Sequence, residues 1–170
     1  MASVTLKGNP IELSGNPPQA GAAAPDFELT ANDLSKVKLS DSSGKVRILS
    51  VVPSIDTAVC SIQTKRFNEA VDGLPENVVA YTISVDTPFA QKRWCGAEGV
   101  EKMQLLSDYK SGNKFGHDYG LYIAEPLGAD ARAVFIVGPD DRIAYTQLVP
   151  EIAQEPNYDE VLQKARELAG

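Results

Sequence analysis

Apolar and polar positions along this chain follow a strand period in some segments and a helix period in others. Near the start, Val4 to Lys7 and Ile11 to Leu13 flank Gly8-Asn9-Pro10, which predicts a small β-hairpin within residues 1–14. Residues 14–25, rich in Gly, Ala and Pro, read as a connector, and Phe27 to Thr30 alternates like a short strand. The run Arg47 to Val52 is mostly aliphatic and stops at Pro53, as a buried strand does. Between Thr57 and Leu74, Val59, Ile62, Phe67, Ala70, Val71 and Leu74 recur at helical spacing, and Gly73 and Pro75 mark the end. Val78 to Val85 reads as a second buried strand. Strand, helix and strand with short connections predict a right-handed βαβ unit with parallel strands.

A second helix is expected from Pro88, which suits a first helical position, to about Gly96. Met103 to Leu106 suggests another strand. Ala133 to Val137 and Ile143 to Leu148 flank Gly138-Pro139-Asp140-Asp141 as a hairpin. A last helix starts near Asn157, with Glu160 three residues on and Val161, Leu162, Ala165 and Leu168 along one face. The sum is a single α/β domain over residues 1–170, a mixed central sheet flanked by helices with an N-terminal hairpin extension. This arrangement resembles the thioredoxin fold, although the chain has no Cys-x-x-Cys.

Composition narrows the chemistry. With 16 Lys and Arg against 23 Asp and Glu, the net charge is −7, which argues against nucleic acid and anionic membrane as partners. No run approaches the length of a membrane span, and the first residues lack a signal-peptide pattern, so the expected location is the cytoplasm. Cys60 and Cys95 are the only cysteines, too few for a disulfide framework. With His117 as the only histidine, a zinc site would need carboxylates to complete it. His117 itself reads as a solvated loop residue. The two thiols are therefore inert and buried, statically bridged, or a redox pair. In a reducing cytosol a permanent bridge is the least expected of these.

Cys60 falls in or near the first turn of the predicted helix, where free N–H groups and the dipole favour an anion. Thr57 lies three residues earlier on the same face. The dipole contributes about 0.3–1 kcal/mol, and ~2 in good geometry, so the helix alone does not make a specialised thiolate. A nearby cation and donors aimed at the electrophile are also needed.

Pro53, Thr57 and Cys60 match the Pro-x-x-x-Thr-x-x-Cys motif of the peroxiredoxins. The string Pro53 to Cys60, the segment Gln63 to Asn68, the segment Pro88 to Gly96 and the segment Ala131 to Phe135 together resemble the thiol peroxidase subfamily, of the atypical two-cysteine type. Ala58 stands where that family often has proline, and Trp94 where phenylalanine is usual. The resemblance implies that Cys60 is the peroxidatic nucleophile and Cys95 the resolving cysteine. It implies that Thr57 hydrogen-bonds thiolate and peroxide, that Arg132 favours the thiolate and polarises the peroxide, and that Pro53 walls off water. It further implies reduction of hydrogen peroxide and of alkyl or lipid hydroperoxides, an intrachain Cys60–Cys95 disulfide, recycling by thioredoxin, antioxidant defence, a homodimer, and no cofactor or metal. Three other readings compete: a redox-inert thioredoxin-like binding domain, a static bridge, and a one-cysteine peroxidase with Cys95 as bystander. Because Cys60 and Cys95 are expected on different helices, a bridge between them predicts partial unwinding of one or both.

Overall fold

The segment Val46–Val51 is buried at every position, because it lies mid-sheet with packing on both faces. The computed structural model describes residues 2–170. In chain order the strands are β1 (Ser3–Leu6), β2 (Asn9–Glu12), β3 (Glu28–Ala31), β4 (Lys36–Lys38), β5 (Val46–Val51), β6 (Val78–Ser84), β7 (Gln104–Ser107), β8 (Tyr122–Ile123), β9 (Ala129–Asp130), β10 (Ala133–Val137) and β11 (Ile143–Leu148). The helices are α1 (Ala58–Val71), α2 (Pro88–Glu98), α3 (Lys114–Asp118) and α4 (Tyr158–Ala169), and a short 3-10 turn covers Leu39–Ser42.

Seven strands form the central sheet in the order β11-β10-β5-β6-β7-β3-β4. β5, β6 and β7 are parallel, and the remaining neighbours are antiparallel. The crossovers through α1 and α2 advance in one direction across the sheet, so right-handedness puts both helices on the same face. Phe67, Val161, Ala165 and half-buried Trp94 and Cys95 pack together on that side. The opposite core holds the β1–β2 hairpin residues Val4 and Ile11 together with Phe115, Tyr119 and Phe135. The mixed sheet, the βαβ unit, the β10–β11 hairpin and the N-terminal hairpin are as the sequence predicts.

Several boundaries differ. The first hairpin turns at Lys7 and Gly8, both with positive φ, so Asn9 and Pro10 belong to the second strand. Pro10 fits there because β2 has a neighbour on one side only. Helix α2 continues through Gly96 to Glu98 and stops at Gly99, whose φ of 67° supplies the left-handed cap. Helix α1 starts after Thr57 and ends at Val71, three residues short of the expected Leu74. His117 is exposed as expected but sits in helix α3, its ring 4.6 Å from that of Tyr122.

Beside α3 lies an unusual packing choice. Asp130 is completely buried, and neither carboxyl oxygen has a hydrogen-bond partner among the described residues. A Cβ on Gly116 would overlap Asp130 Oδ1, so this close approach requires glycine. Burial pushes the Asp130 carboxyl up to about 8, and the charge of nearby Asp108 adds to the effect. Across about pH 4 to 8 the folded protein then keeps a proton that the unfolded chain has released, so stability falls as pH rises through this window. Urea midpoints are therefore expected to be higher near pH 5 than near pH 8, and Asp130→Asn should flatten that dependence. Identical slopes in both proteins would contradict this account.

Candidate active site

The site is built where β5 hands over to α1. After Val51, Val52 and Pro53 are buried, and the chain turns through Ser54 to Thr57 into the helix. Thr57 is the N-cap, with extended φ and ψ of −115° and 153°. The first intrahelical bond is donated by Ser61 N to Thr57 O at 2.9 Å, which leaves the N–H groups of Ala58, Val59 and Cys60 without helical acceptors. Cys60, the third residue of α1, stands at this positive end and has no exposed surface. Thr57 and Ala58, just above it, are exposed.

Thr57 Oγ1 donates to Ser54 O at 3.3 Å, and no hydrogen bond joins it to the Cys60 sulfur among the described residues. Its lone pairs stay available at the mouth of the site.

Arg132 immediately precedes β10. In the β10–β5 register Ala133 faces Val51, which brings Arg132 to the end of β5 where the Pro53 turn begins. Its guanidinium is buried, 2% exposed, which excludes a solvated strand-end role. Nε donates to Ile152 O at 2.9 Å, and Nη1 donates to Gln63 Oε1 at 3.0 Å. Gln63 Nε2 in turn donates to Ser50 Oγ at 2.8 Å. Gln63 lies three residues after Cys60 and so shares its helix face. The bond from Arg132 to Gln63 therefore ties the cation to the residue one turn after Cys60. No carboxylate pairs with Arg132 among the described residues. A buried cation without a counter-ion favours any anion that forms beside it.

Cys95 is the eighth residue of α2 and half buried. Burial pushes its thiol up, partly offset by Asn32, whose Nδ2 lies 3.6 Å from the sulfur. Both cysteines are free. α1 and α2 run side by side in the same direction, tied by Lys65 Nζ to Glu98 Oε2 at 2.7 Å. Cys95 lies five helical residues further from its helix start than Cys60 does, about 7.5 Å along the axis. Cys60 sits in the first turn of α1 and Cys95 in the second half of α2, its sulfur against Asn32 just after β3.

The structure thus gathers Pro53, Thr57, Cys60 and Arg132 at one turn and holds Cys95 apart on the neighbouring helix. Gln63 and Ser50 belong to the site as well, although their roles were not read from the sequence. A serine inside a mostly aliphatic strand, and a glutamine three residues after the cysteine, were the available signals. Asp86 was missed too: it accepts from Ser54 Oγ at 2.7 Å and from Ile55 N at 2.7 Å, bracing the turn ahead of α1.

Known proteins resemble this chain along most of its length. The Redoxin family profile matches residues 19–162. The thiol peroxidase of Oceanobacillus iheyensis is 50% identical over 162 residues, covering 95% of this chain and 97% of that protein. The thiol peroxidase of Bacillus subtilis is 45% identical over 168 residues, covering 99% of each. A peroxiredoxin-like protein from Aquifex aeolicus superposes with a TM-score of 0.93 at 41% identity, covering 99% of this chain and 98% of that one. The chain belongs to the redoxin family and, within it, to the thiol peroxidases.

Proposed function

We propose that this thiol peroxidase reduces hydroperoxides at Cys60 and resolves the product with Cys95. The observation that supports this reading best is the buried, carboxylate-free Arg132 bonded to Gln63 on the Cys60 face of α1. An inert thiol would share the burial of Cys60 but would have no use for that cation.

The Cys60 thiolate attacks one peroxide oxygen. An S–O bond forms, the O–O bond breaks, and the departing oxygen leaves as water or alcohol after taking a proton. Arg132 and the free N–H groups of the first helical turn stabilise the charge that develops on the oxygens. Thr57 offers its lone pairs to the peroxide O–H, and Pro53 closes the floor against water. Peroxide reaches the sulfur when the exposed first turn of α1 breathes. Cys95 then attacks the Cys60 sulfenic acid, forming the S–S bond and releasing water. A dithiol protein of the thioredoxin class restores both thiols by exchange. The cycle draws on two thiols, a peroxide and a dithiol, with no metal or organic cofactor. Hydrogen peroxide and alkyl or lipid hydroperoxides are the substrates, the cytoplasm is the compartment, and a homodimer is the assembly. No helix among the described residues is long and apolar enough to cross a membrane.

Burial gives Cys95 a further property. Its raised thiol stays protonated in the closed helix and becomes a nucleophile as α2 opens and water returns. Opening therefore supplies both the reach and the reactivity for resolution. Trp94, next to Cys95 and half buried against the helical core, should report this opening as a fluorescence change between reduced and peroxide-treated protein. An unchanged spectrum would remove the rearrangement.

The direct assay is peroxide consumption with a thioredoxin recycling system. Wild type should turn over repeatedly. Cys60→Ser should be inactive, and Cys95→Ser should complete one turnover and then stall or overoxidise. Activity surviving in Cys60→Ser would overturn the assignment, and sustained turnover in Cys95→Ser would make Cys95 a bystander. A thiol titre that peroxide leaves unchanged would favour the inert binding domain.

A further inference from the structure

One hydrogen-bonded chain links the two elements that carry the cysteines. Asp86 follows β6 and directly precedes Thr87, the N-cap of α2. Its Oδ1 accepts from Ser54 Oγ at 2.7 Å, and its Oδ2 accepts from Ile55 N at 2.7 Å, both in the turn that leads to Cys60. Oδ2 also accepts from Ser84 Oγ at 2.6 Å. Ser84 Oγ in turn accepts from Gln91 Nε2 at 2.9 Å. Gln91 is fully buried, and a second bond from Nε2 to Leu106 O at 3.0 Å fixes it against β7. Gln91 lies four residues before Cys95, hence on the same face of α2. The Asp86 carbonyl accepts from Ser107 Oγ, so the carboxylate is anchored from behind as well.

From this geometry we propose that Asp86 is the clamp that holds the Cys60 turn and the Cys95 helix in the closed, disulfide-incompetent arrangement. The proposal rests on the reading of Cys60 and Cys95 as a redox pair and adds a positioning residue to it. The bonds to Ser54 and Ile55 exist only while the turn is closed, and each is made to a charged acceptor. They must break before Cys95 sulfur can displace water from the Cys60 sulfenic acid. They therefore set how long the sulfenic acid waits in the closed pocket, where a second peroxide can oxidise it to sulfinic acid. A tight clamp favours overoxidation, and a loose one favours the disulfide.

The test compares wild type, Asp86→Asn and Ser54→Ala. Asp86→Asn removes the carboxylate charge and one of its two accepting oxygens, and Ser54→Ala deletes the bond to Oδ1. Each reduced protein is mixed with hydrogen peroxide, disulfide formation is followed by Trp94 fluorescence, and the disulfide-to-sulfinic ratio is read by mass spectrometry over a peroxide series. The loss of one hydrogen bond to a charged group predicts a rise of roughly tenfold in the resolution rate and in that ratio. A control destabilised away from the clamp, Ile143→Val in the opposite core, should lower the urea midpoint and leave rate and ratio unchanged, and a control that speeds resolution equally would overturn the clamp. If Asp86→Asn does not fold, Ser54→Ala carries the same expectation. Wild type that forms the disulfide while the folded variants keep its rate and ratio would overturn the clamp. Wild type that forms no disulfide at all would overturn the redox-pair reading, and the clamp with it.

Discussion

The guanidinium of Arg132 is a buried positive charge with no carboxylate partner among the described residues. Taking an ion out of water costs several kcal/mol even after relaxation, and an unpaired one is rarely retained. Here two neutral acceptors, Ile152 O and Gln63 Oε1, hold the group in place without neutralising it. Electrostatics at the strand end is therefore incomplete until an anion arrives. The first turn of α1 offers the position for one, because its free N–H groups favour negative charge at the point where Cys60 sits. The strand register that puts Ala133 opposite Val51, the buried Ser50 that steers Gln63, and the hairpin that carries Arg132 all serve to bring these two features to one turn of chain.

The second requirement pulls the other way. On the proposed reading, a thiol that meets peroxide in a closed, preorganised turn must later meet Cys95, which stands on another helix. Burial keeps Cys95 protonated and quiet while the helix is closed. The polar chain through Asp86, Ser84 and Gln91 supports that closed state from the same face of the sheet. The proposed cycle thus divides peroxide binding and resolution between conformations of the same short segments. The sheet itself need not move, since every residue of β5 is paired with β6.

Much of this was legible in the residues, for physical reasons that vary along the chain. The βαβ unit could be read because buried parallel strands are continuous aliphatic runs; the apolar spacing of α1 marked a helix, but the buried face is Cys60, Gln63, Thr64 and Phe67, and Ile62 is exposed. The β10–β11 hairpin matched its predicted bounds because its turn residues interrupt two strongly apolar runs. The end of α2 was misplaced because Gly96 looked like a stop, whereas Gly99 makes the left-handed cap. Helix α3 and the β8–β9 pair escaped notice because five-residue and two-residue elements carry no periodicity. At the site, Cys60, Thr57, Pro53, Arg132 and Cys95 were named through a family motif. Residues that act through long-range hydrogen bonds, Gln63 to Arg132 and Asp86 to Ser54, leave no local pattern to read.

The account stands or falls on whether the buried cation serves the sulfur. Single-turnover oxidation of Cys60 by hydrogen peroxide in Arg132→Met addresses this directly, with folding checked by circular dichroism. Methionine fills the space and removes the buried charge, which offsets the orphaning of Gln63 and Ile152, so the variant is expected to stay folded. Its peroxide rate should fall at least about a hundredfold, the scale set by losing a preorganised electrostatic group. A folded Arg132→Met protein that reacts with peroxide as fast as wild type would contradict the account.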